Sequence, residues 1–221
     1  MPQGSENKIS TPSAALIARA AHRFGAHGAP AVIGMTDPAR LPDPERALAA
    51  LPPGNILIWR AYGEALSRRD VRHVARLAEN RNCLLLLAGQ PRLAMHAHGM
   101  HLAERRLIDP FTDGYLMDRR SHRPDFIVTA AAHSEVAIRR AANTQVDAVL
   151  ISPVFATESH PGAPHLGVIR TASLARNASA LGLAAYALGG ITTESDVRRL
   201  TQTGVTGIAG IGVLQAGNRQ A

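Results

Sequence analysis

Two glycine-bearing turns and one hydroxyl-rich loop hold the residue types in this sequence best suited to chemistry. Gly189-Gly190 follows the apolar run from Ala184 to Leu188, and Gly210-Ile211-Gly212 closes the next apolar run. A glycine turn lets bare backbone N–H groups approach an anion, and a helix starting just behind it adds a partial positive charge. Gly189, Gly190, Ile211 and Gly212 are therefore the candidate phosphate-binding residues, the plainer alternative being glycines that only permit tight turns. The stretch Ile151-Ser-Pro-Val-Phe-Ala-Thr-Glu-Ser-His160 runs from an apolar strand into a polar loop. The hydroxyls of Thr157 and Ser159 and the imidazole of His160 suit contacts with carboxylate or phosphate oxygens, with ordinary loop polarity as the competing explanation.

Other chemistries are disfavoured by composition. Lys8 is the only lysine and stands in a polar N-terminal segment, which excludes a Schiff base formed on a desolvated lysine. Cys83 is the only cysteine, lies beside four leucines, and reads as a buried thiol without a disulfide partner. His96, His98 and His101 show no established ligand spacing, and no cysteine or aspartate joins them, so no metal site is expected there. The net charge is +7, but the arginines come as pairs on helical segments, as in Ser67-Arg-Arg-Asp70 and Ile138-Arg-Arg140, without interleaved aromatics. Such pairs read as solvated helix faces, and the positive field suits a phosphorylated small molecule better than nucleic acid.

The elements that must position these residues alternate regularly. Strand-like apolar runs stand at Ala31 to Met35, Ile56 to Trp59, Cys83 to Leu87, Gly99 to Leu102, Phe126 to Thr129, Ala148 to Ile151, Ala184 to Leu188 and Gly207 to Ile211, with helical patterns between them. Continuous apolar strands imply burial on both faces, and eight alternations in 221 residues favour a single-domain (β/α)8 TIM barrel over a doubly wound sheet. The expected division is a tail with an amphipathic helix over residues 1–29, the helix running from about Pro12 to Phe24, then a barrel over residues 30–217. Ile108 to Arg123 is rich in Asp, Pro and Arg and reads as a long loop as readily as a helix. No apolar run approaches the roughly 20 residues that span a bilayer, and the polar start lacks a secretory pattern, so a cytoplasmic protein without a membrane partner is expected.

The stretch from Ile151 to Gly167 and the run Ala187-Leu-Gly-Gly-Ile191 together resemble the thiamine phosphate synthase/TenI family, whose members carry a "G-P-V-F-x-T-x-[ST]-K-x-G-x-x-x-G" loop and an "A-I-G-G-I" phosphate loop. The similarity extends from Met35-Thr-Asp37 to Val213. It implies that Gly190 meets a thiazole phosphate, with Ile211-Gly212 on its other side, where Gly212 replaces the usual serine. Arg60 and the loop residues Thr157, Ser159 and His160 become candidate substrate-binding residues.

Against the metal-dependent synthases, the resemblance carries departures. Of the "Q-x-R-x-K" signature, Ile58-Trp-Arg-Ala-Tyr62 keeps only Arg60. The "N-D-R" turn becomes Ala88-Gly89-Gln90, and the aspartate of "G-V-H-L-G-x-x-D" becomes Arg106. Both Mg²⁺ carboxylates are thereby lost, while His160 and Ala131 replace a lysine and a serine. The TenI-type thiazole tautomerases need no metal: they move one proton with a histidine, and Ala131-Ala-His-Ser134 matches that segment, making His133 the candidate acid/base. Ser134 as a helix N-cap is the alternative reading of this segment. The resemblance therefore implies thiazole tautomerisation without a cofactor. A divergent synthase using Mg²⁺ and a non-catalytic barrel that binds a phosphorylated ligand or a partner remain open, as does a homodimer.

Overall fold

Strands that are apolar at every position need cover on both faces, and the chain supplies it by closing the strands on themselves. The computed structural model describes residues 29–63, 65–157 and 162–215. The expected N-terminal helix, Ser159 and His160 lie outside the described residues. In chain order the elements are β1 (Val32–Met35), α1 (Pro44–Ala50), β2 (Ile56–Arg60), α2 (Arg68–Asn80), β3 (Leu84–Ala88), α3 (Pro91–Ala94), β4 (Gly99–Leu102), a 3-10 turn (Glu104–Ile108), α4 (Pro110–His122), β5 (Ile127–Ala132), α5 (Glu135–Asn143), β6 (Ala148–Ile151), α6 (Gly167–Ala180), β7 (Ala184–Leu188), α7 (Glu194–Leu200), β8 (Gly207–Gly210) and α8 (Gly212–Gln215). All neighbouring strands pair in parallel in the order β1 to β8, and Val32 opposite Ile208 and Gly34 opposite Gly210 close the ring. This is the expected (β/α)8 barrel.

Alternation along each strand divides the core in two. Ile33, Met35, Ile56, Ile58, Leu86, Leu150 and Tyr186 fill the barrel, while Leu57, Leu85, Leu87, Val149 and Ile208 face the helices. The helices answer with short side chains, including Ala47, Ala75, Ala78, Ala137, Ala141, Ala175 and Ala178, which let them lie close to the sheet. Inside, Ala148 and Ala209 leave room for the Tyr186 ring, whose hydroxyl donates to the Pro30 carbonyl at 2.9 Å. Burial pushes that phenol up to about 12.

The helices begin where side-chain chemistry dictates. Ser67 with Asp70 and Thr193 with Asp196 form reciprocal capping boxes, and Ser134 caps α5 by accepting from the Ala137 N–H. The segment left open as loop or helix is helical. Pro110 starts α4 with a preset φ, Thr112 and Leu116 bury one face a turn apart, and the Tyr115 hydroxyl donates to the Pro91 carbonyl at 2.6 Å. Among the described residues, no helix is long and apolar enough to cross a membrane.

Gly99 is required by barrel closure: a Cβ there would stand 1.9 Å from the Ile127 carbonyl oxygen, on the neighbouring strand. Gly99→Ala should therefore cost about 3 kcal/mol, because that oxygen belongs to backbone and cannot swing aside. Urea unfolding should show a lower midpoint at unchanged slope. A midpoint equal to the parent's would contradict the packing.

Candidate functional site

The strand ends converge on the C-terminal mouth, where strand ends and loops carry polar side chains. His133 follows β5 directly and shares the inward parity of Ile127, Thr129 and Ala131. Its Nδ1 lies 2.7 Å from the Ser152 carbonyl oxygen and 3.2 Å from the Ser152 hydroxyl. A carbonyl can only accept, so the shorter contact puts the proton on Nδ1 and leaves Nε2 with its lone pair free. Glu104, on the 3-10 turn after β4, accepts the His133 backbone N–H at 2.9 Å, and its carboxylate stands 3.9 Å from Nε2. The imidazole is 53% exposed. It is held at one nitrogen and open at the other, the arrangement a proton carrier needs. Ser134 is the helix cap, accepting from the Ala137 N–H at 3.2 Å, so the capping reading of this segment is observed.

Around the ring, the glycine turns after β7 and β8 stand side by side. Gly189 and Gly190 have φ values of 100° and 71°, which L side chains rarely adopt. Among the described residues, the N–H groups of Gly190, Ile211 and Gly212 have no hydrogen-bond partner. The β6 loop seals this end: the Val154 and Phe155 N–H groups donate to Leu188 O and Gly189 O at 2.9 and 3.0 Å, and Thr157 abuts Gly189. Gly190 has a structural duty. A Cβ there would meet Ala156 O at 2.4 Å and Phe155 Cβ at 2.6 Å, so larger residues at this position would disturb the loop with or without a ligand.

Arg60 stands at the end of β2, largely engaged. Its Nε donates to the Thr36 carbonyl and its Nη2 to Asp37 Oδ2, both at 2.7 Å. Only Nη1 is left without a partner among the described residues, so Arg60 shapes the mouth and offers its Nη1 side rather than a free fork. His101, inward on β4, is bonded through Nδ1 to the Thr129 hydroxyl at 2.9 Å. Burial, with the Arg60 charge adding, holds its pKa down to about 4, so it is neutral near pH 7. The other two histidines of that run point elsewhere: His98 accepts the Leu85 N–H and meets Glu79, and the His96 Nε2 is buried without a partner.

The Mg²⁺ that the resemblance to synthases implies does not fit these residues. A hard cation needs carboxylate or carbonyl oxygens. Gly89 offers no side chain, and the Tyr62 ring lies 3.0 Å from where its Cβ would be. Arg106 brings a cation and pairs with Asp109. Among the described residues, no group of three His, Cys, Asp or Glu side chains could hold a metal ion.

Glu104 and Ser152 are the residues that reading the sequence did not assign to proton chemistry. Glu104 lies 29 positions from His133, and the Ser152 contribution is a backbone carbonyl, which no side-chain pattern reveals.

The chain's similarities match this architecture. A family model described as "Thiamine monophosphate synthase" matches residues 34–214. The "Putative thiamine-phosphate synthase 2" of Aquifex aeolicus (strain VF5) is 34% identical over 119 residues, which are 54% of this chain and 58% of that protein. The chain thus aligns with a little over half the length of this curated relative. A thiamine phosphate pyrophosphorylase structure from Pyrococcus furiosus superposes with a TM-score of 0.64 at 20% identity, covering 84% of this chain and 91% of that one. FabK from Thermotoga maritima gives 0.60 at 13% identity, covering 82% and 57%. At such identities the solved structures report the fold alone.

His101 generates a pH prediction. Unfolded, its imidazole takes a proton near pH 6.5; folded, it resists until about pH 4. Its contribution is complete above pH 6.5 and is lost as pH falls toward 4, about 3 kcal/mol in all. Urea unfolding of the parent should follow this slope, and His101→Gln should lack that component. For the glycine turns, titration with inorganic phosphate should shift the amide resonances of Gly190, Ile211 and Gly212 ahead of others. Unmoved resonances there would remove the phosphate assignment.

Proposed function

The chain belongs to the thiamine phosphate synthase/TenI family, and from that premise we propose that it is a metal-independent, TenI-like thiazole tautomerase acting in the cytoplasm on a thiazole phosphate. The observation that carries this reading is His133: one nitrogen anchored on the Ser152 carbonyl, the other free beside Glu104. The substrate phosphate is taken by the N–H groups of Gly190, Ile211 and Gly212, assisted by Gly189 and Thr157. Anchoring by phosphate turns proton transfer into an intramolecular event at a fixed ring position.

Each group then has one task. His133 Nε2 takes the proton from the saturated ring carbon, and the released electron pair completes the aromatic ring. While the imidazole is cationic, the Glu104 carboxylate 3.9 Å away offsets its charge. The same Nε2–H returns the proton at the far end of the conjugated system, so nothing is gained or lost overall. The Ser152 carbonyl keeps the ring oriented throughout.

The names of the relatives favour a second reading, condensation of an aminopyrimidine pyrophosphate with a thiazole phosphate. That reaction calls for Mg²⁺, and the residues at positions 89 and 106 argue against it. A phosphate-binding barrel without catalysis is the third reading.

His133→Ala should lower tautomerisation about 10²–10⁴-fold, the usual worth of general acid/base assistance, with phosphate binding retained. His133→Gln keeps hydrogen bonding but carries no proton at neutral pH, and should be equally slow. Equal rates for parent and both variants, or no turnover by the parent, would favour the non-catalytic reading. EDTA should leave the parent's turnover unchanged, and condensation activity abolished by EDTA would favour the synthase.

A further inference from the structure

At the end of the barrel opposite the mouth, the starts of the strands enclose a cavity of about 640 Å³. Its walls are largely apolar: Ile56, Leu84, Ile127 and Ala184 line it, and each opens a strand. Barrels of this kind keep their chemistry at the other face, so an apolar hollow here calls for cover rather than for a substrate. The chain enters the barrel at the same place. Ala29 and Pro30 stand in the cavity wall, and the Tyr186 hydroxyl holds the Pro30 carbonyl at 2.9 Å. Whatever precedes Ala29 in the sequence therefore departs from the rim of the cavity.

The charge of the cavity is opposite to that of the molecule. In a chain of net charge +7, the described lining has the carboxylates of Glu79 and Asp147 and no arginine or lysine. Its histidine, His98, accepts the Leu85 N–H through Nδ1 at 3.0 Å, which leaves Nε2 as the donor to Glu79 at 3.2 Å. In that tautomer the ring is neutral, and the Glu79 carboxylate keeps its charge. Asp147 is fixed at the wall by accepting the Val128 N–H at 2.7 Å.

The sequence just before Ala29 carries the complementary pattern. Leu16, Ile17, Ala20 and Phe24 recur at the spacing of one helix face, and Arg19 and Arg23, four apart, flank that stripe. Only Gly25-Ala26-His27-Gly28 separates Phe24 from Ala29, and four residues extend at most about 14 Å. We propose that residues 12–24 of this chain are the occupant of the cavity, with the apolar stripe packed on the strand starts and the arginines turned to Glu79 and Asp147. The short tether keeps this segment at a high local concentration beside the cavity, which favours it over the same segment of a second copy. Neither His133 nor the glycine turns take part in this contact.

Cys83, the sole cysteine of the chain, also lines the cavity and serves as the reporter. In the full-length parent its thiol should react slowly with a water-soluble disulfide reagent. Leu16→Asp and Ile17→Asp should each speed that reaction by about 10-fold or more, because an unpaired carboxylate buried on the stripe costs more than the 1.4 kcal/mol that a tenfold change represents. Thermal unfolding of the same variants checks that the barrel itself stays folded. A second arm tests proximity directly. Leu16→Cys, Ala20→Cys and Phe24→Cys each place a new thiol on the stripe, and at least one should bridge to Cys83 within a single chain on mild oxidation, as seen by mass spectrometry, since a disulfide forms only where the two Cα atoms lie within about 7 Å. Ala18→Cys, on the opposite face, should not. Parent-like labelling in both aspartate variants, no bridge from any stripe position, or equal bridging from Ala18→Cys would overturn the proposal. A bridge that joins two chains would overturn it in favour of a second copy.

Discussion

The closed ring of parallel strands is the constraint on which the rest depends, and at its tightest places this chain has glycine. Gly99 faces the Ile127 carbonyl, and Gly207 faces the Ala31 carbonyl, where a Cβ would stand 2.4 Å away. Closure sets the inward parity of every strand. That parity carries Arg60, His101 and His133 to one end, although they are far apart in the chain. The polar groups of the mouth are therefore a consequence of packing at the opposite, apolar side of the same strands.

The mouth is electrostatically divided. Its β5 to β8 sector holds a histidine with a nearby carboxylate and a row of backbone N–H groups without partners among the described residues. The β3 to β4 sector holds guanidinium groups and tyrosine rings. Backbone donors and arginines both favour anions, but through different physics. The glycine turns present fixed dipoles in a defined geometry, whereas Arg105 and Arg106 bring full charges on long side chains. A ligand phosphate is oriented more strictly by the former.

Much of the architecture was legible in the residues. Eight apolar runs at regular spacing implied the barrel, and the predicted strands lie within a residue or two of the observed ones, except that β5 runs three residues further, to Ala132. The Gly-Gly and Gly-Ile-Gly turns also fell where strand ends were expected. Helix α4 was not legible, because its stability comes from Tyr115 reaching Pro91 and from Leu116 packing under it, contacts that a local pattern rich in Asp, Pro and Arg conceals. Arg60 was legible as a cation at a strand end, but not its engagement with Asp37 and Thr36.

Local sequence thus determined which segments are strands and which turns need glycine, because these depend on a residue and its near neighbours. Only the tertiary structure decided what the functional groups touch. Glu104 comes to His133 across 29 residues, the Ser152 carbonyl across 19, and the Tyr62 ring onto Gly89 from the neighbouring strand's loop. Such contacts depend on strand register and barrel closure, which are properties of the whole sheet, and a backbone carbonyl or an absent Cβ leaves no mark of its partner in the sequence.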